Sequence, residues 1–230
     1  MRLILASASP RRADLLRAAG FTFDTVVADV DEAVRVGESP ALYVRRLAAE
    51  KSFAAQSSYV ASAFRRTSAA GRESPANRLR QGFGGQEAGR HVPPDGPIIL
   101  AADTTVVVDN EILGKPRDDQ DAAAMLERLS GRRHDVLTGV SIRRNAFEVG
   151  RVETTEVCFA ALTPDEVAWY VGSGEGRDKA GGYAIQGLAS RFVTRIDGSY
   201  ANVVGLPVAA VVALLTEAGF FLEERRKSRS

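Results

Sequence analysis

Cysteine is nearly missing from this chain: Cys158 is the one thiol in 230 residues. A single thiol excludes an internal disulfide and suits a reducing compartment. Between Val157 and Phe159, Cys158 reads as a small core residue and not as a nucleophile. Histidine is almost as scarce. His91 and His134 with one cysteine fall short of the four ligands of a structural zinc site. Neither sign of charge dominates. Thirty Lys and Arg against 29 Asp and Glu leave a net charge of +1, so overall electrostatics recommends neither nucleic acid nor an anionic membrane. No apolar run reaches the ~18 residues of a membrane span. The chain enters a strand almost at once, without the apolar stretch of a secretion signal, so the cytoplasm is the expected location. What is present is a hydrophobic content of 45% over 230 residues, enough to bury the core of one large domain.

The stretch Ile98 to Pro116, IILAADTTVVVDNEILGKP, is the first candidate for chemistry. Ile98 to Ala101 predicts a buried strand, Val106 to Val108 is a second apolar run, and Asp109-Asn110 supplies a turn. Asp103 lies between the two runs. A carboxylate among such neighbours must be hydrogen-bonded, paired or metal-bound, because an isolated buried charge is very costly. The bland alternative is a capping or turn aspartate. Gly114-Lys115-Pro116 puts a cation on a stiff turn at the far end, and an acid and a base framing one hairpin suit a phosphate-and-metal site.

Upstream, Leu3 to Ala6 predicts a short strand, and Ser7-Ala8-Ser9-Pro10-Arg11-Arg12 opens a helix with Ser9 as N-cap and Gly20 as its stop. Hydroxyls, two arginines and free N–H groups at a helix start favour an anion, although a plain capped helix with solvated arginines has the same sequence. Phe21 to Val27 predicts a second strand. Asp29, Asp31 and Glu32 then form an acidic loop that could hold a divalent cation or be an ordinary solvated turn. A helix is expected from Glu38 to about Gln56, with Leu42, Tyr43, Leu47 and Phe53 on its apolar face. Lys51, near its end, is either a phosphate ligand or a surface lysine, and residue pattern alone favours the surface. From Ser57 to Pro97 the composition turns to Ser, Ala and Gly, and Arg65, Arg66, Arg72, Arg78, Arg80 and Arg90 outweigh Glu73 and Glu87. This predicts a basic, low-complexity, mostly disordered insertion.

Asp118 or Asp119 caps a helix through Leu129, closed by Gly131. His134 to Val149 alternates like strands around Arg144-Asn145, and Arg151 to Phe159 predicts another strand. His134 reads as a strand-edge histidine with a local hydrogen bond. Thr163-Pro164-Asp165-Glu166 is a capping box. Gly172 to Gly187, GSGEGRDKAGGYAIQG, is so rich in glycine that ordering it needs a reward from a ligand or a close backbone approach. A buried Gln186 behind an aromatic could read a base edge, since its amide both donates and accepts; a flexible loop is the alternative. Phe192 to Ile196 predicts a strand, Gly198 to Gly205 a turn region, Pro207 to Ala218 a helix, Phe220 to Leu222 a last strand, and 223–230 a polar tail. Helices alternate with strands in the first half and hairpins fill the second. The expected fold class is therefore α/β with α+β character: a mixed central sheet flanked by helices, in two lobes with a deep cleft. One domain over 1–222, interrupted at 57–97, accounts for the chain.

Several segments together resemble the Maf family of nucleoside-triphosphate pyrophosphatases. They are ASASPRR at Ala6 to Arg12, the pair Asp31-Glu32, YVRRLAAEK ending at Lys51, AADTTV around Asp103, LGKP at Lys115, HDVLTGV at His134 to Val140, DKAGGYAIQG at Asp178 to Gly187, and GSYANVVGLP at Gly198 to Pro207. The DKAGGYAIQG form is similar to the branch acting on dTTP and UTP. The resemblance implies hydrolysis of a nucleoside triphosphate to monophosphate and pyrophosphate, assisted by a divalent cation, Mg or Mn. It implies that Asp103 accepts a proton from water and that Glu32, with Asp103, serves a metal. It places Arg11, Thr104 and Gln186 at positions tied to substrate choice, and Ser7, Arg12, Lys51 and Lys115 around the triphosphate. The long insertion departs from the family's shorter connection; loop closure tolerates it, each doubling of length costing only about 0.6 kcal/mol. The nucleoside triphosphate is the expected partner, with no stable nucleic acid and no membrane, and a homodimer is the assembly to test. Competing readings are a pyrophosphatase for another base such as 7-methyl-GTP, a non-catalytic nucleotide sensor in cell-division control, and nucleic-acid binding through the insertion. A sensor would be expected to have lost Asp103 or the lysines, which are all present.

Overall fold

The computed structural model describes residues 2–70 and 96–218. Strand β1 (Leu3–Ala6) leads through helix α1 (Pro10–Ala18) to β2 (Phe23–Val26), and α2 (Pro40–Ala70) precedes β3 (Ile98–Val108). The short β4 (Glu111–Leu113) and α3 (Asp119–Leu129) follow, then the long hairpin β5 (Arg133–Arg144) and β6 (Phe147–Phe159). Helix α4 (Pro164–Ser173), two 3-10 turns at Ala180–Gly182 and Leu188–Arg191, β7 (Val193–Asp197), α5 (Tyr200–Val204) and α6 (Val208–Glu217) complete it.

The strands form one sheet in the order β2-β1-β3-β5-β6-β7, with β4 also paired to β3. β1 runs parallel to β2 and β3, and every other pair is antiparallel. This is the mixed α/β sheet expected: tight turns join the antiparallel pairs β3–β4 and β5–β6, whereas parallel β1 and β2 are joined through helix α1. β1 and the first half of β3 are covered on both faces, hence their unbroken apolar sequence. Leu3, Leu5, Ile98, Leu100 and Ala102 pack with Ala13 and Leu16 of α1 and with Val211, Leu214 and Leu215 of α6. Ile4, Ala6, Ile99 and Ala101 face the other way, toward Ala55 of α2.

The helix starts and turns follow the sequence signals closely. The Asp118 side chain accepts the N–H of Asp121 at the head of α3, Thr163 and Glu166 form the capping box of α4, and Asp109 and Asn110 take the left-handed conformation (φ 53° and 63°) that a two-residue hairpin turn requires.

Several expectations are corrected. α2 does not end near Gln56 but runs to Ala70, so residues 57–70 belong to a helix; the rest of the expected insertion before Gly96, the strand at Phe220 to Leu222 and the polar tail lie outside the described residues. The inward stripe of α2 is Val44, Leu47, Ala48, Ser52 and Ala55, whereas Leu42 and Phe53 are 62% and 59% exposed. Gly139 of β5 lets the helix lie that close, since a Cβ there would collide with the Val44 carbonyl. β3 is one continuous strand through Asp103, and β6 runs unbroken through Gly150. The Gly198 to Gly205 region is not a bare turn: Ser199 caps α5, and its buried Asn202 donates to the Val136 carbonyl. Cys158 is half-buried, because period-2 alternation turns it away from the core face held by Val157 and Phe159. His134 is buried in an inner strand and bonds 49 residues along the chain to Tyr183. No described helix is long and apolar enough to cross a membrane.

Candidate active site

The sheet forks at β3. β5 pairs with one edge of β3 from Ile99 to Val107, while on the other edge β1 covers Ile98 to Ala101 and β4 covers Val106 to Val108. Between them Ala102 to Thr105 meet no strand among those described. That notch lies just beyond the carboxyl end of parallel β1, where open α/β sheets bind ligands. A cavity of about 800 Å³ fills it, bounded by Ser7, Arg11 and Arg12 from the start of α1, Glu32, Lys51 of α2, Asp103 and Thr104 of β3, Lys115 and Gln186. Residues drawn from six separated segments thus share one cavity. Arg11, Arg12, Lys51, Lys115 and Lys179 line it against Glu32, Asp103 and Asp178, so the cavity favours an anion although the whole chain is near neutral.

Lys51 is the centre of the charged floor. Its Nζ donates to Asp103 Oδ1 and to Glu32 Oε1, both at 2.6 Å. The Lys51 and Asp103 side chains are 12% and 11% exposed, Glu32 49%. The surface reading of Lys51 is therefore overturned: it falls in the inward stripe of α2, three residues after Ala48 and four before Ala55. Burial works to raise the Glu32 pKa, but the hydrogen bond and charge of Lys51, with Lys115 and Arg12 behind it, bring it below the usual carboxylate value. The loop bearing Glu32 is strapped to α2. Arg46 donates to Glu38, to the Ala33 carbonyl and to Glu50, and Tyr43 Oη donates to the Glu32 carbonyl at 3.1 Å. Arg46 and Glu38 are nearly buried, and the salt bridge drops the Glu38 pKa to about 2. Tyr43, pushed up to about 12 by burial and by the charges of Asp103 and Glu32, stays a donor.

Thr104 points to the opposite face of β3 from Asp103, and there it meets Arg12. The Arg12 guanidinium donates from Nε to the Gly205 carbonyl at 2.7 Å, from Nη2 to Thr104 Oγ1 at 3.0 Å and from Nη1 to Ser7 Oγ at 3.3 Å. Three of its five N–H groups are engaged, so two remain for a ligand. Burial lowers the Arg12 pKa, Arg11 adds to the effect, and Asp103 and Glu32 oppose it. Thr104 Oγ1 also shares a hydrogen bond with Thr138 Oγ1 at 2.9 Å.

Arg11, Tyr183, Ile185 and Gln186 also line the cavity. Gln186 is exposed, not buried as the sequence suggested, so it sits at the rim. Lys115 is also exposed, and its turn is tied by the Gly181 N–H donating to the Gly114 carbonyl at 3.0 Å. Tyr43, Arg46, Tyr183 and Lys179 are not assigned to the site from sequence; there Tyr43 reads only as part of an apolar helix face. The stripe containing Lys51 would have flagged its neighbour Tyr43, but nothing local marks Arg46 or Tyr183. Among the described residues no group of three or more His, Cys, Asp or Glu converges to hold a metal; of the carboxylates that line the cavity, Glu32 and Asp103 share the Lys51 ammonium.

Comparison with known proteins gives a consistent result. A protein of Anaeromyxobacter dehalogenans (strain 2CP-C) is 47% identical over 223 residues, 95% of each chain. One from Myxococcus xanthus (strain DK1622) is 44% identical over 223 residues, 97% of this chain and 95% of the other. One from Symbiobacterium thermophilum is 42% identical over 219 residues, 95% of both. Each bears the name dTTP/UTP pyrophosphatase. Residues 2–218 match the family described as Maf-like protein, and on that match across nearly its whole length the chain belongs to the Maf-like protein family.

Proposed function

We propose that this chain hydrolyses dTTP and UTP to the monophosphate and pyrophosphate. The observation that carries the reading is the single cavity in which a buried acid, Asp103, is held by Lys51 beside Glu32 and opposite Arg12. The relatives' shared name supplies the substrate class.

Water attacks the α-phosphorus, the new P–O bond forms as the bond to the β-phosphate oxygen breaks, and pyrophosphate departs with that electron pair. The proton lost by water goes to Asp103. Lys51 binds Oδ1 of Asp103, and among the described residues no hydrogen bond engages Oδ2, which takes the proton. Arg12 meets phosphate oxygens with its two remaining N–H groups, and Lys115, Lys51 and Ser7 complete the cradle. Preorganised cations of this kind stabilise charge that grows on the phosphates in the transition state. Gln186, with Arg11 and Thr104, selects the base.

A divalent cation suits the same place. Glu32 and Asp103 present oxygens on two sides of the Lys51 ammonium, and Mg²⁺ or Mn²⁺ is commonly bound by one or two carboxylates together with substrate phosphates. When bound, the ion supplies Lewis-acid neutralisation of the phosphate charge. The test is steady-state pyrophosphate release from a panel of common and methylated nucleotides with Mg²⁺ or Mn²⁺. Preferred turnover of dTTP and UTP is expected; preferred turnover of a purine nucleotide would overturn the substrate assignment, and no turnover of any would overturn the reaction.

A further inference from the structure

The Gln186 loop has a support that none of the cavity residues provides. Glu175 lies beneath the main chain that follows Gln186. Its Oε1 accepts the Leu188 N–H at 3.0 Å and its Oε2 the Ala189 N–H at 3.4 Å, so one carboxylate caps the 3-10 turn Leu188–Arg191. The carboxylate is held in turn by Tyr170, 1% exposed, whose hydroxyl donates to Glu175 Oε2 at 2.9 Å and accepts the Ala184 N–H at 3.0 Å. Tyr170 and Glu175 therefore fix the main chain on both sides of Gln186, at 184 and at 188–189. The glycines fit the same geometry. A Cβ on Gly187 would collide with the Glu175 carboxylate, and one on Gly176 with the Gly182 carbonyl. Two of the six glycines in this segment, Gly176 and Gly187, thus serve close approach of the backbone to itself and to Glu175.

An exposed glutamine amide discriminates between bases only if its orientation is fixed before the ligand arrives; a freely turning amide can present donor or acceptor to either base edge. We propose that Glu175, seated by Tyr170, is a positioning residue for base selectivity: it sets the orientation of Gln186 without touching the substrate. The proposal rests on the pyrophosphatase reading and on Gln186 meeting the base.

The test compares the ratio of kcat/KM for UTP over CTP in the wild type, Glu175→Gln, Gln186→Ala and the double variant. Replacing one carboxylate oxygen by an amide removes an acceptor facing a main-chain N–H, a loss of the size of one charge-assisted hydrogen bond. Glu175→Gln is expected to lower the ratio about tenfold, chiefly by improving CTP, and to have no further effect once Gln186 is alanine, because neighbours acting through one another are non-additive. Tyr170→Phe, which keeps the carboxylate and removes its anchor, is expected to act in the same direction and serves if Glu175→Gln does not fold. A merely structural role would slow UTP and CTP alike and leave the ratio where it was. An unchanged ratio in Glu175→Gln beside a lowered one in Gln186→Ala overturns the proposal and leaves the Gln186 assignment standing. An equal fall in both backgrounds overturns the route through Gln186. Unchanged ratios in all variants remove the Gln186 assignment and the proposal together.

Discussion

Two groups of residues that line the cavity are built differently. In the group assigned to the phosphates, Asp103, Lys51 and Arg12 come from a central strand and two helices and are largely buried; Lys51 binds Asp103 at 2.6 Å, and Arg12 binds the Gly205 carbonyl and the Thr104 and Ser7 hydroxyls at 2.7 to 3.3 Å. In the group assigned to the base, Gln186 is exposed on a glycine-rich strap that is anchored by Glu175, Tyr170, the His134–Tyr183 hydrogen bond of 2.8 Å and the burial of Tyr183, Ile185 and Ala189. Rate depends on charged groups fixed to a fraction of an ångström, which rigid elements provide. Selectivity, on the proposed reading, rests on an exposed loop that the sheet carries but does not contain.

Four measurements can break or sharpen that contrast. The largest effect belongs to the group assigned to the phosphates: Asp103→Asn should reduce pyrophosphate release by about a thousandfold or more, with an unchanged circular dichroism spectrum. A near-wild-type rate would remove Asp103 from the chemistry. Lys51→Met leaves Asp103 and Glu32 without their shared cation and should cost about a hundredfold in kcat/KM for UTP; a loss below about threefold would mean that the ion pair is only structural.

The third measurement concerns the strap. Burial lowers the His134 pKa from 6.5 to about 4, and among the described residues its buried Nδ1 has no hydrogen-bond partner. The unfolded chain therefore takes up this proton first. The stability that the neutral ring contributes is complete above pH 6.5 and is lost as pH falls toward about 4, by on the order of 3 kcal/mol. Thermal melts should show that decline, and His134→Phe should flatten it; parallel pH curves for the two proteins would refute it. The smallest effect is expected for Gln186→Ala, about a tenfold fall in the UTP over CTP ratio with turnover of UTP within about threefold. A larger loss of turnover than of selectivity would place Gln186 in the catalytic group instead.

Local signals carried much of the fold. The caps at Asp118 and Thr163, the Asp109-Asn110 turn and the all-apolar β1 depend on neighbours within a few residues, so sequence pattern suffices for them. Pattern misled where two phases were available. On α2 the stripe through Leu42 and Phe53 looked as apolar as the true one through Val44, Ala48 and Ala55, and the wrong phase turned Lys51 outward. Arg46, Tyr170 and Glu175 were illegible because their partners lie on other elements or in a loop without periodicity.

By itself the sequence determined most of the described elements and their order, the mixed sheet and, through the joint motifs, which residues to watch. Tertiary structure alone decided that β1 stops at Ala101 of β3 while β4 resumes at Val106. That gap gives consecutive residues of one strand, Asp103 and Thr104, access to the same cavity from opposite faces, an outcome of strand register that no local stretch of chain encodes.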